Sequence, residues 1–238
     1  MVALFILLNI MVSPMLQRGD DLFVRQEYQR AISSYNEHLK TNPGDARALW
    51  RVSRAYISMG DVAKKDERES LYRLAEEYAT RAVHSDSLSS AAHTWRAVSL
   101  GYIALFEGSR TKVRLCNEIQ QELDCAIRLD STNDVAYSIY GTFFRALGKV
   151  NWFERTLANM LLGGLPAGDF NDAVRSLKKA IKLAPTIIRH RYELGMVYLD
   201  LDRTEDAKKV FLEALQLPPL LASDAQRIER MKRRVAEK

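Results

Sequence analysis

The stretch LGMVYLDLDRTEDAKKVFLEALQLPP, residues 194–219, decides the fold of this chain. It consists of two segments whose apolar residues recur at helical period, joined by a polar turn. Gly195 in the first segment and Ala207 and Ala214 in the second are small residues that let one helix lie close against the other. Pro219 closes the stretch, because proline cannot continue a helix. The stretch therefore predicts a hairpin of two antiparallel helices.

The second half of this hairpin recurs along the chain. Each copy carries an Ala-rich helical phrase, then a hydrophobic pair, then a turn that closes with Pro or Ser. The closing residues are Pro43, Ser87, Ser131, Pro185 and Pro219. A helical phrase repeated down a chain indicates a stack of similar units, and this phrase is that of tetratricopeptide repeats. We therefore predict an all-α superhelical solenoid of four to five repeats, with an inserted helix in repeat 4 and a C-terminal capping helix.

The spacing of the closing residues is irregular, and the insertions carry information. Successive gaps are 44, 44, 54 and 34 residues, so only the last matches the 34-residue repeat. The extra residues of repeat 4 include Trp152, Phe153, Leu157 and Met160 at helical spacing, which predicts a short amphipathic helix. We expect its apolar face to pack against the neighbouring repeats; the alternative is that it offers a docking surface.

The two ends of the chain differ from the repeats between them. Residues 1–15 contain no charged side chain, which predicts a signal or membrane anchor or else the first helix of the solenoid. The repeat domain spans 16–221. Residues 222–238 carry six Lys or Arg against three Asp or Glu and predict a basic helix. We expect this helix to cap the last repeat; contact with an acidic partner or an anionic membrane is the alternative.

Composition excludes several classes of protein. Of 238 residues, 47% are hydrophobic and 27% are charged, so the chain is neither disordered nor a multi-span membrane protein. A net charge of +5 is a mild bias toward acidic partners, and we expect no nucleic-acid partner. Cys116 and Cys125 lie nine residues apart in one predicted helix, on opposite faces, so they cannot form a disulfide there.

Sequence motifs for catalysis or metal binding are missing. The four histidines lie in four different repeats, without an HExxH motif or a Cys/His cluster, and no phosphate-binding glycine motif or GxSxG elbow occurs. We therefore predict a protein that is not an enzyme and has no catalytic residues, metal or cofactor. His93 beside Trp95 is the one tempting pair, and we interpret it as packing between repeats.

The candidate site is a concave groove lined by the first helix of each repeat. Counting back from the closing residues places arginines and aromatic residues there, with no acid before Asp200. Guanidinium groups favour carboxylates and phosphates, while aromatic and aliphatic side chains would take the apolar part of the same ligand. The ligand-binding residues predicted in this way are Arg47, Trp50, Arg54, Tyr102, Arg145, Arg189 and Tyr192.

Two stretches go beyond the general repeat pattern. The first contains His93 and Trp95 in a His-x-Trp-x-Ala helix, and the second contains Trp152 and Arg155 followed by Pro166. In order and spacing these stretches resemble the regulator of microtubule dynamics family. The two stretches are more specific to that family than the repeat itself.

The resemblance covers roughly residues 17–235 and implies a function as well as a fold. It implies a non-enzymatic scaffold in the cytoplasm or on the cytoskeleton, whose partner carries an acidic segment; for some family members the partners are microtubules. One member of the family is anchored in a membrane. It implies an alternative function, which is phospholipid binding or transfer, or the tethering of membranes. Another alternative is an exported bacterial assembly factor, for which residues 1–15 would be the export signal.

Overall fold

The computed structural model describes residues 13–237. Within this range the chain folds into twelve α-helices and a short 3-10 turn, Ala104–Phe106, without a strand. The helices are α1 (Pro14–Val24), α2 (Tyr28–Thr41), α3 (Ala46–Val62), α4 (Arg68–Ser85), α5 (Ser90–Ile103), α6 (Ser109–Leu129), α7 (Asp134–Gly148), α8 (Trp152–Leu161), α9 (Phe170–Leu183), α10 (Ile188–Asp200), α11 (Thr204–Ala214) and α12 (Ala222–Ala236).

Successive helices pair into five hairpins, which stack on one another. The pairs are α1–α2, α3–α4, α5–α6, α7–α9 and α10–α11. Three first helices begin at a side-chain cap shortly after a predicted closing residue. Asp45, Ser89 and Asn133 each accept a hydrogen bond from a backbone N–H two or three residues later. Such a cap satisfies a donor that the start of a helix leaves unpaired.

Close contact between the two helices of a hairpin depends on glycine. A Cβ built on Gly195 of α10 would lie 2.2 Å from the ring of Phe211 on α11. The same arrangement recurs in three other hairpins, where the pairs are Gly19 with Tyr35, Gly60 with Tyr72, and Gly141 with Leu177. Each large side chain fills the space that its glycine leaves open, so the two residues of a pair depend on each other.

The prediction for the N-terminal segment falls largely on residues 1–12, which lie outside the described residues. Helix α1 begins at Pro14, inside the predicted segment. No helix among residues 13–237 combines the length and apolar character needed to cross a bilayer.

The extra residues of repeat 4 form α8, as predicted. Its start carries a capping box between Asn151 and Glu154. Arg155 anchors the helix, because its guanidinium donates to the backbone oxygens of Leu147 at 3.1 Å and Pro166 at 3.0 Å. This contact joins two residues of the family-like motif, Arg155 and Pro166.

The prediction that the apolar face of α8 packs against neighbouring repeats is wrong. Trp152 is 79% exposed, Phe153 67% and Met160 76%. The one fully buried side chain of α8 is the small Ala158, and none of the principal helix–helix contacts in the described chain involves this helix. The helix therefore rests on the solenoid through Ala158 and the polar contacts of Arg155, and its large apolar side chains face solvent.

The C-terminal helix covers the last repeat and also reaches the first. Met231 is completely buried against α10 and α11, where Ile228 and Val235 also pack. At the other end of α12, the backbone N–H of Ala222 donates to Oη of Tyr28 at 3.2 Å. Because α12 contacts α3 as well as α10 and α11, it lies across the concave face and connects the two ends of the solenoid.

Candidate functional site

Arg54, which was predicted to line the groove, lies on α3 and contacts two side chains of α1. Its Nη2 donates to Oδ1 of Asp20 at 3.0 Å, and its guanidinium carbon lies 3.8 Å from the centre of the Phe23 ring. Arg51 binds the same carboxylate through Nε at 3.0 Å. Two guanidinium groups thus share one acid, which leaves an excess of positive charge. The Nε–H of Arg54 is buried without a hydrogen-bond partner among the described residues.

Arg47 and Trp50, also predicted for the groove, lie on α3 with Arg54. Arg47 is half exposed and pairs with the cap residue Asp45, with 2.9 Å between Nη2 and Oδ2. Burial raises the pKa of Asp45, but hydrogen bonds from Arg47 and His38 outweigh burial and lower it to about 2. The ring of Trp50 lies beneath two guanidinium groups, with Arg51 at 4.3 Å from its centre and Arg54 at 5.2 Å.

Tyr102, which was predicted to line the groove, binds an acid that the sequence reasoning missed. Its hydroxyl donates to Oδ1 of Asp61 at 2.6 Å, and its ring stacks on Tyr72 with 4.2 Å between the ring centres. Burial raises the pKa of Asp61, and the hydrogen bond from Tyr102 partly offsets this. The expectation of no acid before Asp200 is therefore wrong: Asp61, in the last turn of α3, turns its carboxylate into the groove.

Arg145 is neutralised by acids of the neighbouring helix α10. Its Nε donates to Oδ2 of Asp200, and Oε2 of Glu193 lies 3.8 Å from its Nη1. Lys149 binds the same oxygen of Asp200 at 3.0 Å. Burial raises the pKa of Glu193, while nearby Arg145 lowers it. Glu193 is the second acid that the sequence reasoning missed.

The two predicted residues of α10 have different surroundings. The Nε–H of Arg189 is buried and has no hydrogen-bond partner within residues 13–237. Burial lowers the pKa of Arg189, and the positive charge of nearby Arg227 lowers it further. Tyr192, in contrast, is only 7% exposed and packs near Phe211 in the core of the last repeat. It therefore does not line the groove.

Helix α12 adds positive charge to the centre of the concave face. Arg227 binds Asp224 of its own helix at 2.9 Å and lies close enough to act electrostatically on Asp61, Arg189 and Glu193. We call the set Asp61, Arg145, Arg189, Glu193 and Arg227 the groove cluster. The structure brings these residues together from four helices, α3, α7, α10 and α12. In the sequence, Asp61 and Glu193 are acidic residues on helices that were expected to present arginines to the ligand. No motif marks either of them as part of the site.

The first family-like motif has a structural role between two helices. Nδ1 of His93 lies 2.6 Å from Oε2 of Glu122 on α6, and its Nε2 lies 3.0 Å from the backbone oxygen of Ser87. Trp95 is half-buried and packs on the core between repeats 2 and 4. His93 therefore joins α5 to α6 and to the preceding turn, in keeping with its interpretation as a packing residue.

A separate cleft lies away from the concave face, between the start of α6 and the end of α8. Its volume is about 510 Å³, and it is open to solvent. Arg110 and Arg114 of α6 line one side, and Leu161 and Leu162 line the other. Glu118 also lines the cleft and pairs with Arg114, so the cleft places cationic and acidic side chains next to the exposed apolar end of α8.

A sequence profile described as Regulator of microtubule dynamics protein 1-3 matches residues 15–237. The chain belongs to this family. The match runs through α8 and α12, so the family's shared region includes the inserted helix and the C-terminal helix. The resemblance of the two motifs to the regulator of microtubule dynamics family is thereby confirmed.

Curated members of the regulator of microtubule dynamics family are about one quarter identical to this chain. Human Regulator of microtubule dynamics protein 2 is 25% identical over 222 residues, which are 92% of this chain and 54% of the human protein. Mouse Regulator of microtubule dynamics protein 1 is 25% identical over 218 residues, 90% of this chain and 71% of the mouse protein. The chain thus spans about half the length of the human protein 2 that it matches.

Solved structures confirm the tetratricopeptide-repeat fold. A thermophilic TPR protein of Thermus thermophilus superposes with a TM-score of 0.71 at 20% identity, covering 94% of this chain and 98% of that one. Yeast Tom70 superposes with a TM-score of 0.54 at 16% identity, covering 92% of this chain and 39% of Tom70. The predicted all-α repeat scaffold is therefore confirmed.

Proposed function

We propose that this member of the regulator of microtubule dynamics family is a non-enzymatic scaffold whose concave face binds an acidic segment of a protein partner. The observation that carries the proposal is a pair of concave arginines, Arg54 and Arg189, each with a buried Nε–H that has no acceptor in the described part of the chain. An unsatisfied buried donor costs about 1–3 kcal/mol. A carboxylate of the partner would satisfy such a donor through a charge-assisted hydrogen bond.

Two further observations support an anionic ligand. Arg51 and Arg54 share the single carboxylate of Asp20, so this end of the groove keeps excess positive charge. Within the groove cluster, Arg189 and Arg227 lie near each other, and a bound carboxylate would relieve their mutual repulsion. Stacked repeats hold these donors in fixed positions, which lowers the entropic cost of binding an extended segment.

The names of the relatives point to the kind of partner. Because the relatives are named regulators of microtubule dynamics, we take microtubules, whose tubulin subunits end in acidic tails, as the candidate partner. The same name suggests the cytoplasm or the cytoskeleton as the location. We therefore take microtubules and a glutamate-rich peptide as the two probes.

We expect Arg189→Gln to weaken binding of a labelled glutamate-rich peptide about ten-fold or more, because a hydrogen bond to a charged group contributes about 1.5–3 kcal/mol. Fluorescence anisotropy at low ionic strength measures this loss, and co-sedimentation with stabilised microtubules measures it for the larger partner. The melting temperature should not fall, since the change removes a buried charge whose Nε–H lacks an acceptor in the described chain.

Arg175→Gln is the matched control, because Arg175 lies on α9 with 71% of its side chain exposed. This variant should bind both probes as the wild type does. Equal affinities of the wild type, Arg189→Gln and Arg175→Gln for the peptide would contradict the proposal. A loss of binding in Arg175→Gln as large as that in Arg189→Gln would contradict it too.

The second candidate function is association with an anionic phospholipid surface, and the exposed apolar face of α8 favours it. A helix with Trp and Phe on an exposed face matches helices that lie in the membrane interface. Trp152, Phe153 and Met160 provide this face. The cleft beside it carries Arg110, whose charge suits a phosphate headgroup, and Arg114, which pairs with Glu118 of the same cleft.

We expect the double variant Trp152→Ser and Phe153→Ser to lose binding to vesicles of phosphatidylcholine with phosphatidylserine, measured by flotation. Its free energy of unfolding should change by less than about 0.5 kcal/mol, because both side chains already face solvent. Leu88→Ser is the control, since Leu88 is 76% exposed in the turn before α5, outside the α8 face. Unchanged vesicle binding by the double variant would remove this candidate.

A further inference from the structure

A cysteine, a histidine and a glutamate meet between α5 and α6. Sγ of Cys125 lies 3.4 Å from Nε2 of His93, and Nδ1 of His93 lies 2.6 Å from Oε2 of Glu122. The guanidinium of Arg128, one helical turn beyond Cys125, donates to the same sulfur at 3.4 Å. His93 is 32 residues from Cys125 in sequence, so only the folding of the hairpin brings the two side chains together.

Both ring nitrogens of His93 face acceptors, which favours the doubly protonated ring. Nδ1 faces the carboxylate of Glu122, and Nε2 faces the backbone oxygen of Ser87 at 3.0 Å as well as the sulfur. The hydrogen bond to Glu122 raises the pKa of His93, whereas burial of the ring lowers it. Arg96 also binds Glu122 and so competes for its negative charge. The single Nε2–H of His93 is therefore shared between the backbone oxygen of Ser87 at 3.0 Å and the sulfur of Cys125 at 3.4 Å.

We propose that Cys125, whose sulfur is contacted by His93 and Arg128, is a reactive thiol that forms mixed disulfides with small anionic disulfides. A thiolate is the attacking species in thiol–disulfide exchange, and neighbouring cationic donors stabilise it. The sulfur of Cys125 attacks one sulfur of the incoming disulfide. The new S–S bond forms as the old one breaks, and the other half leaves as a thiolate, so the reaction needs no other oxidant.

The surroundings of Cys125 give such a disulfide access. Cys125 is half-buried and Arg128 beside it is exposed, so a positive charge lies at the surface next to the thiol. An anionic disulfide would be attracted to this charge. None of these residues belongs to the groove cluster, so the proposal does not rest on the proposed function.

Cys116 provides an internal reference on the same helix. It is also half-buried and free, but it packs against the apolar core between repeats 2 and 4. Burial raises the pKa of the Cys116 thiol. The two thiols therefore share a helix and a degree of exposure and differ in the charges around them.

The test compares the two thiols one at a time with the anionic aromatic disulfide dithiobis-nitrobenzoate. Cys116→Ser leaves only Cys125, and Cys125→Ser leaves only Cys116. At neutral pH we expect Cys125 to react about ten-fold faster or more, because His93 and Arg128 contact its sulfur and attract the anionic reagent, whereas Cys116 packs against the apolar core. In denaturant the two rates should become equal, since the contacts made by folding are lost. Mass spectrometry after exposure to oxidised glutathione should locate the mixed disulfide on Cys125.

Two further variants in the Cys116→Ser background test whether Cys125 reacts faster because of its neighbouring side chains or only because the reagent can reach it. Arg128→Gln alters only a surface side chain and should slow Cys125 several-fold; His93→Gln should slow it further. Equal rates for the two thiols in the folded protein would overturn the proposal. The proposal would also be overturned if Cys125 reacted at an unchanged rate in Arg128→Gln and in any folded His93→Gln protein. The same holds if Cys125 still reacted faster than Cys116 in denaturant.

Discussion

Gly195→Ala is expected to lower the free energy of unfolding by about 2–3 kcal/mol. The added Cβ would lie 2.2 Å from Cε1 of Phe211, which is completely buried and cannot move aside without disturbing the core of α10 and α11. Overpacking of this kind outweighs the gain in helix propensity that Ala brings, which is at most about 1 kcal/mol. Denaturant unfolding followed by circular dichroism measures the difference.

Gly101→Ala is the matched control, because Gly101 is also helical but a Cβ there meets nothing within 4 Å among the described residues. This variant should gain up to about 1 kcal/mol from helix propensity alone. The two substitutions are chemically identical, so opposite signs would come from packing. A loss of similar size in both variants would contradict the role assigned to the glycine–aromatic pair.

Met231→Ala is expected to cost about 2–4 kcal/mol, the second large effect. Met231 is completely buried and closes the core of the last repeat from the side of α12. Truncating it removes apolar contacts and leaves a cavity that the stacked helices can fill only in part. Thermal and denaturant unfolding of the purified variant measure the loss.

Lys232→Ala is the control for the C-terminal helix, because Lys232 is the neighbour of Met231 and 60% of its side chain is exposed. Its free energy of unfolding should stay within about 0.5 kcal/mol of the wild type. If Met231→Ala were equally mild, α12 would not be covering α10 and α11 as described.

The repeat pattern predicted the hairpins because its signals are local. Gly195 and Phe211 are sixteen residues apart, yet each marks its own helix, and the closing Pro219 ends the second one. Helix α8 followed in the same way from the period of its apolar residues. Periodicity says which side chains share a face but not what that face meets, and for this reason the exposure of Trp152 was not predictable.

The predicted groove shows the same difference between what local sequence patterns indicate and what the packing of helices decides. Counting along the repeats placed Arg54 and Arg145 on the concave face, because the position of a residue in a repeat sets the direction of its side chain. It did not reveal the ion pairs that they form, because their partners Asp20 and Asp200 lie on other helices at distances in sequence that no repeat rule specifies. Which charges remain free for a ligand is therefore a property of the stacked structure.

By itself the sequence determined the helices, their pairing into tetratricopeptide hairpins, the inserted helix and the family, since helical period, capping and turn residues act over a few residues. Only the tertiary structure decided three other features: α12 runs from the last repeat to Tyr28 in the first, α8 turns its apolar face outward, and Cys125 meets His93. Each depends on how far one helix is rotated and shifted against another. Close packing of the whole chain sets these rotations and shifts, and no local pattern encodes them.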